Sequence, residues 1–216
     1  MDHPPRIYCY RCRKPDLLCI CADVTPVPTR FGIVILQHPQ ESRRTISTAR
    51  IVSLSLTGAR LFVGLDFAGC TALHSHLAAA PGPVYLVYPE RGALDVVDVM
   101  AREHGWPDGA PTFVIIDGTW AQARKIKNQN PCLDRFERVS LSPGAPSRYR
   151  IRRQPRGHYL STVEASVLLL SRLEGSEEAF RPLLEVFDRM IDRQLSFKSG
   201  ESRRGVRRPA PRPEGG

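Results

Sequence analysis

Phe31-Gly32-Ile33-Val34-Ile35-Leu36 is a near-continuous apolar run that stops abruptly at Gln37-His38-Pro39-Gln40-Glu41. A run this short, with polar residues crowding its C-terminal end, is the pattern of a strand buried on both faces. The signature returns in Arg60-Leu61-Phe62-Val63-Gly64-Leu65, in Val84-Tyr85-Leu86-Val87-Tyr88-Pro89 and in Thr112-Phe113-Val114-Ile115-Ile116-Asp117. Helix-compatible stretches separate these runs. Thr45 to Leu56 carries apolar residues at Ile46, Ala49, Val52, Leu54 and Leu56, with the Thr45 hydroxyl as a cap, and Ala72 to Ala79 follows the second run. Alternating strand and helix predict an α/β fold, a mostly parallel sheet flanked by helices.

Two further helix starts stand out. Thr119 to Gln129 has good helix formers and no breaker before Pro131. Ser161-Thr162-Val163-Glu164 places glutamate three residues after serine, a capping box leading into Ala165 to Leu173. A last amphipathic stretch runs from Glu177 to Leu195, and no internal repeat is evident.

With 216 residues, 42% hydrophobic and 25% charged, the chain suits one main globular domain rather than a fibrous or disordered protein. No stretch approaches the roughly 18 to 20 apolar residues that span a bilayer. Met1-Asp2-His3-Pro4 does not open a signal peptide, so the expected compartment is the cytoplasm, without a membrane partner. No obligate protein partner is implied.

The net charge of +9 makes a polyanion the first partner to consider. Ser196 to Gly216 holds six basic residues and two acids among prolines and glycines, and reads as a disordered basic tail over 196–216. Between Arg138 and Arg156 lie six arginines and no acid. There Arg148-Tyr149-Arg150-Ile151-Arg152-Arg153 would line one strand face with guanidiniums suited to phosphates and exposed bases, or form a merely solvated face.

Four of the six cysteines, Cys9, Cys12, Cys19 and Cys21, form a CxxC followed by a CxC. In a reducing compartment four thiolates can close a tetrahedral shell on Zn²⁺, and a CxxC turn lets two sulfurs reach one ion. A zinc knuckle over 1–24 is the first reading; reduced thiols without metal, or a redox pair, are the alternatives. Thr25-Pro26-Val27-Pro28-Thr29 reads as an extended connector to a main domain over 25–195, and Cys70 and Cys132 as ordinary side chains.

In parallel α/β sheets, ligands bind beyond the carboxyl ends of the strands. Three polar clusters occupy such ends: Gln37 to Arg44, Tyr88-Pro89-Glu90-Arg91-Gly92, and Asp117-Gly118-Thr119-Trp120-Ala121-Gln122-Ala123. Together with Tyr159-Leu160-Ser161-Thr162-Val163-Glu164-Ala165 and the cysteines, they resemble the DTW-domain family, whose Asp, Thr and Trp are Asp117, Thr119 and Trp120 here. The resemblance covers about Cys9 to Leu173, including His38-Pro39 with Glu41 and Arg43.

The resemblance implies a tRNA-uridine aminocarboxypropyltransferase. Such an enzyme moves the 3-amino-3-carboxypropyl group of S-adenosylmethionine to N3 of a uridine in a tRNA loop. It also implies likeness to SPOUT-type enzymes, whose cofactor lies at a trefoil knot in the C-terminal part of the sheet. On that basis Asp117 is the expected catalytic residue. Arg43, Pro89, Gly118, Thr119, Trp120, Leu160, Ser161 and Thr162 are expected around the cofactor, and His38 with Arg148, Arg150, Arg152 and Arg153 on RNA. A sulfonium activates three attached carbons, so geometry must select the transferred group. Arg43 or the helix start at Ser161 and Thr162 could anchor the donor's carboxylate.

Several residues have blander readings. Asp117 could cap the helix after Thr119, and as a base it would be feeble at an ordinary aspartate pKa of about 3.9. Trp120 could pack in the core rather than stack on a base, Thr119 could be a cap, and His38 could bond a local carbonyl. Two other functions fit the sequence: an S-adenosylmethionine-dependent RNA methyltransferase, and a non-catalytic zinc-containing RNA-binding protein.

Overall fold

The apolar run at Phe31 becomes β1 (Gly32–Gln37), and its surroundings explain its composition. Ile33 and Ile35 enter one buried cluster while Val34 and Leu36 enter another on the opposite face. Fully burying one such side chain contributes about 1.5–3 kcal/mol, so neither face tolerates a polar residue cheaply.

The computed structural model describes residues 7–102, 106, 109–141 and 160–199. After β1 come α1 (Pro39–Ser42), α2 (Thr48–Ser55), β2 (Arg60–Val63), α3 (Thr71–Ala78) and β3 (Val84–Val87). Then follow β4 (Leu94–Asp95), α4 (Val96–Arg102), β5 (Thr112–Asp117), α5 (Trp120–Gln129) and β6 (Glu137–Ser140). The described residues end with α6 (Thr162–Glu174) and α7 (Arg181–Ser199). The six strands make one sheet in the order β2-β1-β5-β3-β6-β4. Every pairing is parallel, as the alternating pattern predicted.

Helices cover both faces. Ile51 of α2, Val167 and Leu170 of α6, and Leu183 and Phe187 of α7 pack with Ile33 and Ile35. Leu73 and Leu77 of α3 and Ile126 of α5 pack with Val34 and Leu36. β1 and β5 lie side by side as the second and third strands of that order, in a register that runs from Gly32 opposite Thr112 to Gln37 opposite Asp117. Their following helices leave on opposite faces, which opens a crevice beyond those two strand ends.

Several boundaries differ from the sequence reading. The helix expected from Thr45 begins at Thr48, with Ser47 as its N-cap and no side-chain cap bond. Tertiary contacts hold the preceding residues out of the helix: the Thr45 carbonyl accepts from Lys14 Nζ, and Ser47 Oγ accepts from Gln37 Nε2 at 3.0 Å. β2 stops at Val63 because its neighbour β1 stops opposite it at Gln37. β4 and β6 were not foreseen, since Glu137-Arg138-Val139-Ser140 buries only Val139 fully and β4 has two residues. Residues 196–199, assigned to the tail from sequence, continue the backbone of α7 past the expected stop at Leu195.

The cysteine segment is docked on the main body. Cys12 and Ile20 belong to the same cluster as β1 and α7. Arg193 of α7 donates to the Cys19 carbonyl at 2.7 Å and to Asp23 Oδ1 at 3.0 Å. No helix among the described residues is long and apolar enough to cross a membrane.

Candidate functional site

Asp117 ends β5 and is buried, at 8% exposure. Gln37, the last residue of the adjacent β1, donates Nε2–H to Asp117 Oδ2 at 2.8 Å. Thr162, the first residue of α6, donates its hydroxyl to Asp117 Oδ1. Three elements distant in sequence therefore meet at one carboxylate: two adjacent strand ends and a helix N-terminus. The Gln37 amide cannot be turned over here, because its oxygen would then face the carboxylate. Its Oε1 is buried without a hydrogen-bond partner, a cost that the contacts to Asp117 and Ser47 offset.

The helix starts beside Asp117 are capped by their own residues. Thr119 Oγ accepts from Gln122 N at 3.3 Å while Gln122 Oε1 accepts from Thr119 N at 2.7 Å. Asp117 is thus not the cap of α5. Gly118 packs closely on the start of α5: a Cβ there would lie 3.0 Å from the Gln122 Cβ, so a larger residue would require Gln122 to shift. Gln122 Nε2 also donates to Gln40 Oε1 at 2.9 Å, tying α5 to the loop after β1. At α6, Glu164 Oε2 accepts from the Ser161 backbone N–H at 2.8 Å and from its hydroxyl at 2.6 Å. The capping box predicted from Ser161 and Glu164 is present.

Trp120 is 41% exposed rather than packed in the core. Its ring meets Tyr88 edge-on, 6.3 Å between centroids, which brings the loop after β3 to the start of α5. Pro89 follows at an exposed position, and Lys127 Nζ lies 5.9 Å from the Tyr88 ring centre. Arg138, counted from sequence in the basic patch, is not a free cation: it pairs with Glu90 at 3.2 Å and with Asp134 at 2.5 Å.

His38 follows β1 and caps the short α1, its Nδ1 accepting from Gln40 N at 3.2 Å. The partner is thus a local amide, not the local carbonyl considered from sequence. Burial, and secondarily the charge of Lys125, push its pKa below the ordinary histidine value. Since the folded ring binds its proton less readily than the unfolded one, the neutral ring's contribution to stability is complete above the unfolded pKa and is lost as pH falls toward the folded one. An NMR titration should give His38 a midpoint below that of a free histidine. Stability should decline on acidification below about pH 6.5. His38→Asn, which keeps a cap, should lack that component; a midpoint above the free value would contradict the assignment.

The remaining expected residues fall as follows. Arg43 is exposed at the C-terminal end of α1, beside an ion pair of Arg44 with the buried Glu41 at 3.2 Å. Leu160 is half-buried immediately before the α6 cap. Arg148, Arg150, Arg152 and Arg153 lie outside the described residues. Gln37, Tyr88 and Gln122 lay in the polar clusters read from sequence but were given no role there. Gln37 had a signal, a polar residue closing an apolar strand, but its partner is 80 residues away.

The sulfur atoms of Cys9, Cys12, Cys19 and Cys21 lie within 4.8 Å of one another, with Cys9 to Cys21 at 3.6 Å and Cys12 to Cys19 at 3.7 Å. Zinc–sulfur bonds of about 2.3 Å in a tetrahedron place sulfurs about 3.8 Å apart, so the spacing suits such an ion. Hydrogen bonding from the Cys12 backbone holds Cys9 down to about 6, whereas burial pushes the Cys21 thiol up. Lys14, buried at 2% exposure, is lowered to about 8 by that burial, against the opposing pull of Cys12 and Cys19.

The DTW domain family matches residues 6–195, nearly the whole described body. The chain belongs to the DTW domain family. A Drosophila melanogaster protein named tRNA-uridine aminocarboxypropyltransferase 2 is 33% identical over 199 residues, covering 89% of this chain and 77% of its own. A Mus musculus protein of the same name is 30% identical over 183 residues, 81% of this chain and 60% of its own length. The Arabidopsis thaliana tRNA-uridine aminocarboxypropyltransferase A is 28% identical over 227 residues, 90% of this chain and 83% of its own. No solved structure matches. In this DTW domain Asp117, Thr119 and Trp120 stand at the carboxyl end of β5 and the start of α5, the end of an open parallel sheet at which ligands generally bind.

Proposed function

We propose that this DTW domain transfers the 3-amino-3-carboxypropyl group of S-adenosylmethionine to N3 of a uridine in a tRNA loop. The observation that carries the reading is the buried Asp117, gripped by Gln37 and Thr162 at the crevice beyond β1 and β5. Its support is the family and the names of the relatives at 27–33% identity.

The donor supplies a sulfonium that activates its attached carbons. Transfer forms the bond from N3 to the aminocarboxypropyl carbon, breaks that carbon's bond to sulfur, and releases the N3 proton and a neutral thioether. With donors on both oxygens, Asp117 suits an acceptor that stays ionised, orients uracil N3–H and favours the cationic donor. The first-turn N–H groups of α6 and the Arg43 guanidinium are the groups that would anchor the donor's carboxylate. Gly118, Thr119, Leu160, Ser161 and Pro89 would line the donor, and Trp120 beside Tyr88 offers a face for a base. The target uridine must be unpaired or flipped out to reach such a crevice. His38, the arginines Arg148, Arg150, Arg152 and Arg153, and the C-terminal basic residues would contact its RNA.

A structural Zn²⁺ on Cys9, Cys12, Cys19 and Cys21 belongs to this reading, as does a reducing, cytoplasmic setting. The organisation is a knuckle over 1–24, a catalytic domain over 25–195 and a basic tail, with α7 carrying the boundary on to Ser199. A SPOUT-like trefoil knot is also part of it: β6 enters between β3 and β4, both made earlier in the chain, before the path returns to α6. The stretch from 142 to 159 that would close the knot lies outside the described residues.

The test is incubation with an unmodified tRNA transcript and donor labelled in its amino-acid arm, followed by mass spectrometry of the nucleosides. A uridine bearing the aminocarboxypropyl group is expected. Gain of a methyl would favour the methyltransferase, and absence of donor binding by calorimetry the non-catalytic RNA binder.

A further inference from the structure

Eight large hydrophobic side chains are conspicuously exposed among the described residues, and four of them fall within the cysteine knuckle: Ile7 at 75%, Tyr8 at 56%, Tyr10 at 94% and Leu17 at 59%. Their backbones are neighbours. Tyr8 bridges Pro15 as an antiparallel pair, and Asp16 N–H donates to the Ile7 carbonyl at 3.0 Å. Such small folded units bury what they can, and this one does: Cys12, Leu18 and Ile20 face the body. The aromatic residues left outside are therefore not needed for its packing.

Cations surround this patch. Arg11 and Arg13 are exposed, and with Lys14 they offset the charge that four thiolates would place on a divalent ion. Beyond them, Arg50 lies close enough to Arg13 for the second charge to add to burial in lowering its pKa. Lys14 Nζ donates to the Thr45 carbonyl, two residues after the exposed Arg43. The knuckle thus abuts the loop that leaves the C-terminal end of β1, the same sheet end that carries Asp117.

We infer that the knuckle is a base-stacking platform, in which Tyr10, the most exposed ring of the patch and followed in the chain by the exposed Arg11 and Arg13, holds unpaired bases of the RNA whose uridine occupies the crevice. An exposed aromatic among arginines, in a segment tied through Lys14 to the stretch between α1 and α2, matches what single-stranded nucleic acid requires: a ring face for a base and charge for its phosphates. The inference rests on the tRNA reading and deepens it, since it names a second contact outside the crevice.

Tyr10→Ala and Tyr10→Phe separate the outcomes, with zinc content and melting temperature measured on both. Tyr10→Ala is expected to weaken tRNA binding, read by fluorescence anisotropy at constant salt, roughly tenfold. Affinity for S-adenosylmethionine should not change, and Tyr10→Phe should restore tRNA binding. Unchanged tRNA affinity in a folded, zinc-loaded Tyr10→Ala protein overturns the inference. So does loss of self-association, without any change in RNA affinity, which would make the patch an interface between copies. Should Tyr10→Ala lose its metal, photo-crosslinking of wild-type protein to 4-thiouridine tRNA decides: crosslinks mapped to residues 7–17 support the platform, and crosslinks confined to other segments overturn it. Both readouts are binding measurements. A wild type that binds tRNA through Tyr10 but transfers nothing would sink the proposed activity and leave the platform standing.

Discussion

Asp117→Asn is expected to slow aminocarboxypropyl transfer about a hundred- to a thousandfold, the scale of losing one preorganised polar group in an active site. The substitution keeps an oxygen for the Thr162 hydroxyl but turns an amide N–H toward Gln37 Nε2, so two donors face each other in a buried place. Leaving such groups unsatisfied costs about 1–3 kcal/mol. The double variant Gln37→Glu with Asp117→Asn reverses the pair, the amide now donating to a carboxylate, while the Ser47 hydroxyl can turn to donate in its place. If Asp117 orients the uracil, the double variant should recover a large part of the rate in single-turnover assays. If its charge is required at that position, folding should recover and the rate should not. Full activity in Asp117→Ala would exclude the residue from the reaction altogether.

Disrupting the proposed zinc site should have the largest effect on stability. Cys12→Ser is expected to abolish zinc by elemental analysis and to lower the melting temperature by about 10 °C, several kilocalories at this chain length. The physical reason is burial: Cys12, Leu18 and Ile20 pack against the body, and each such side chain is worth about 1.5–3 kcal/mol when removed from water. The damage should extend to α7, because Arg193 is held by the Cys19 carbonyl and by Asp23. A chelator should reproduce the shift in the wild type. A metal-free preparation melting at the wild-type temperature would refute the structural role.

The basic residues show how far charge counting goes. The excess around Arg138 was visible in the sequence, yet Arg138 is committed to Glu90 and Asp134, acids that lie 48 and four residues away. Trp120 is similar. Its place near a helix start left core packing and base stacking equally open, and the folded chain leaves it 41% exposed, edge-on to Tyr88 from another strand end.

The strands β1, β2, β3 and β5, the cap at Ser161 and the cysteine cluster were legible from residue order alone, because each depends on periodicity or on partners at most about a dozen residues apart. The sheet order, the short strands β4 and β6, the delayed start of α2 and the pairing of Gln37 and Thr162 on Asp117 were decided only by the folded chain. Those features arise from contacts between segments tens of residues apart, and local propensity carries no information about which strand end will meet which helix start.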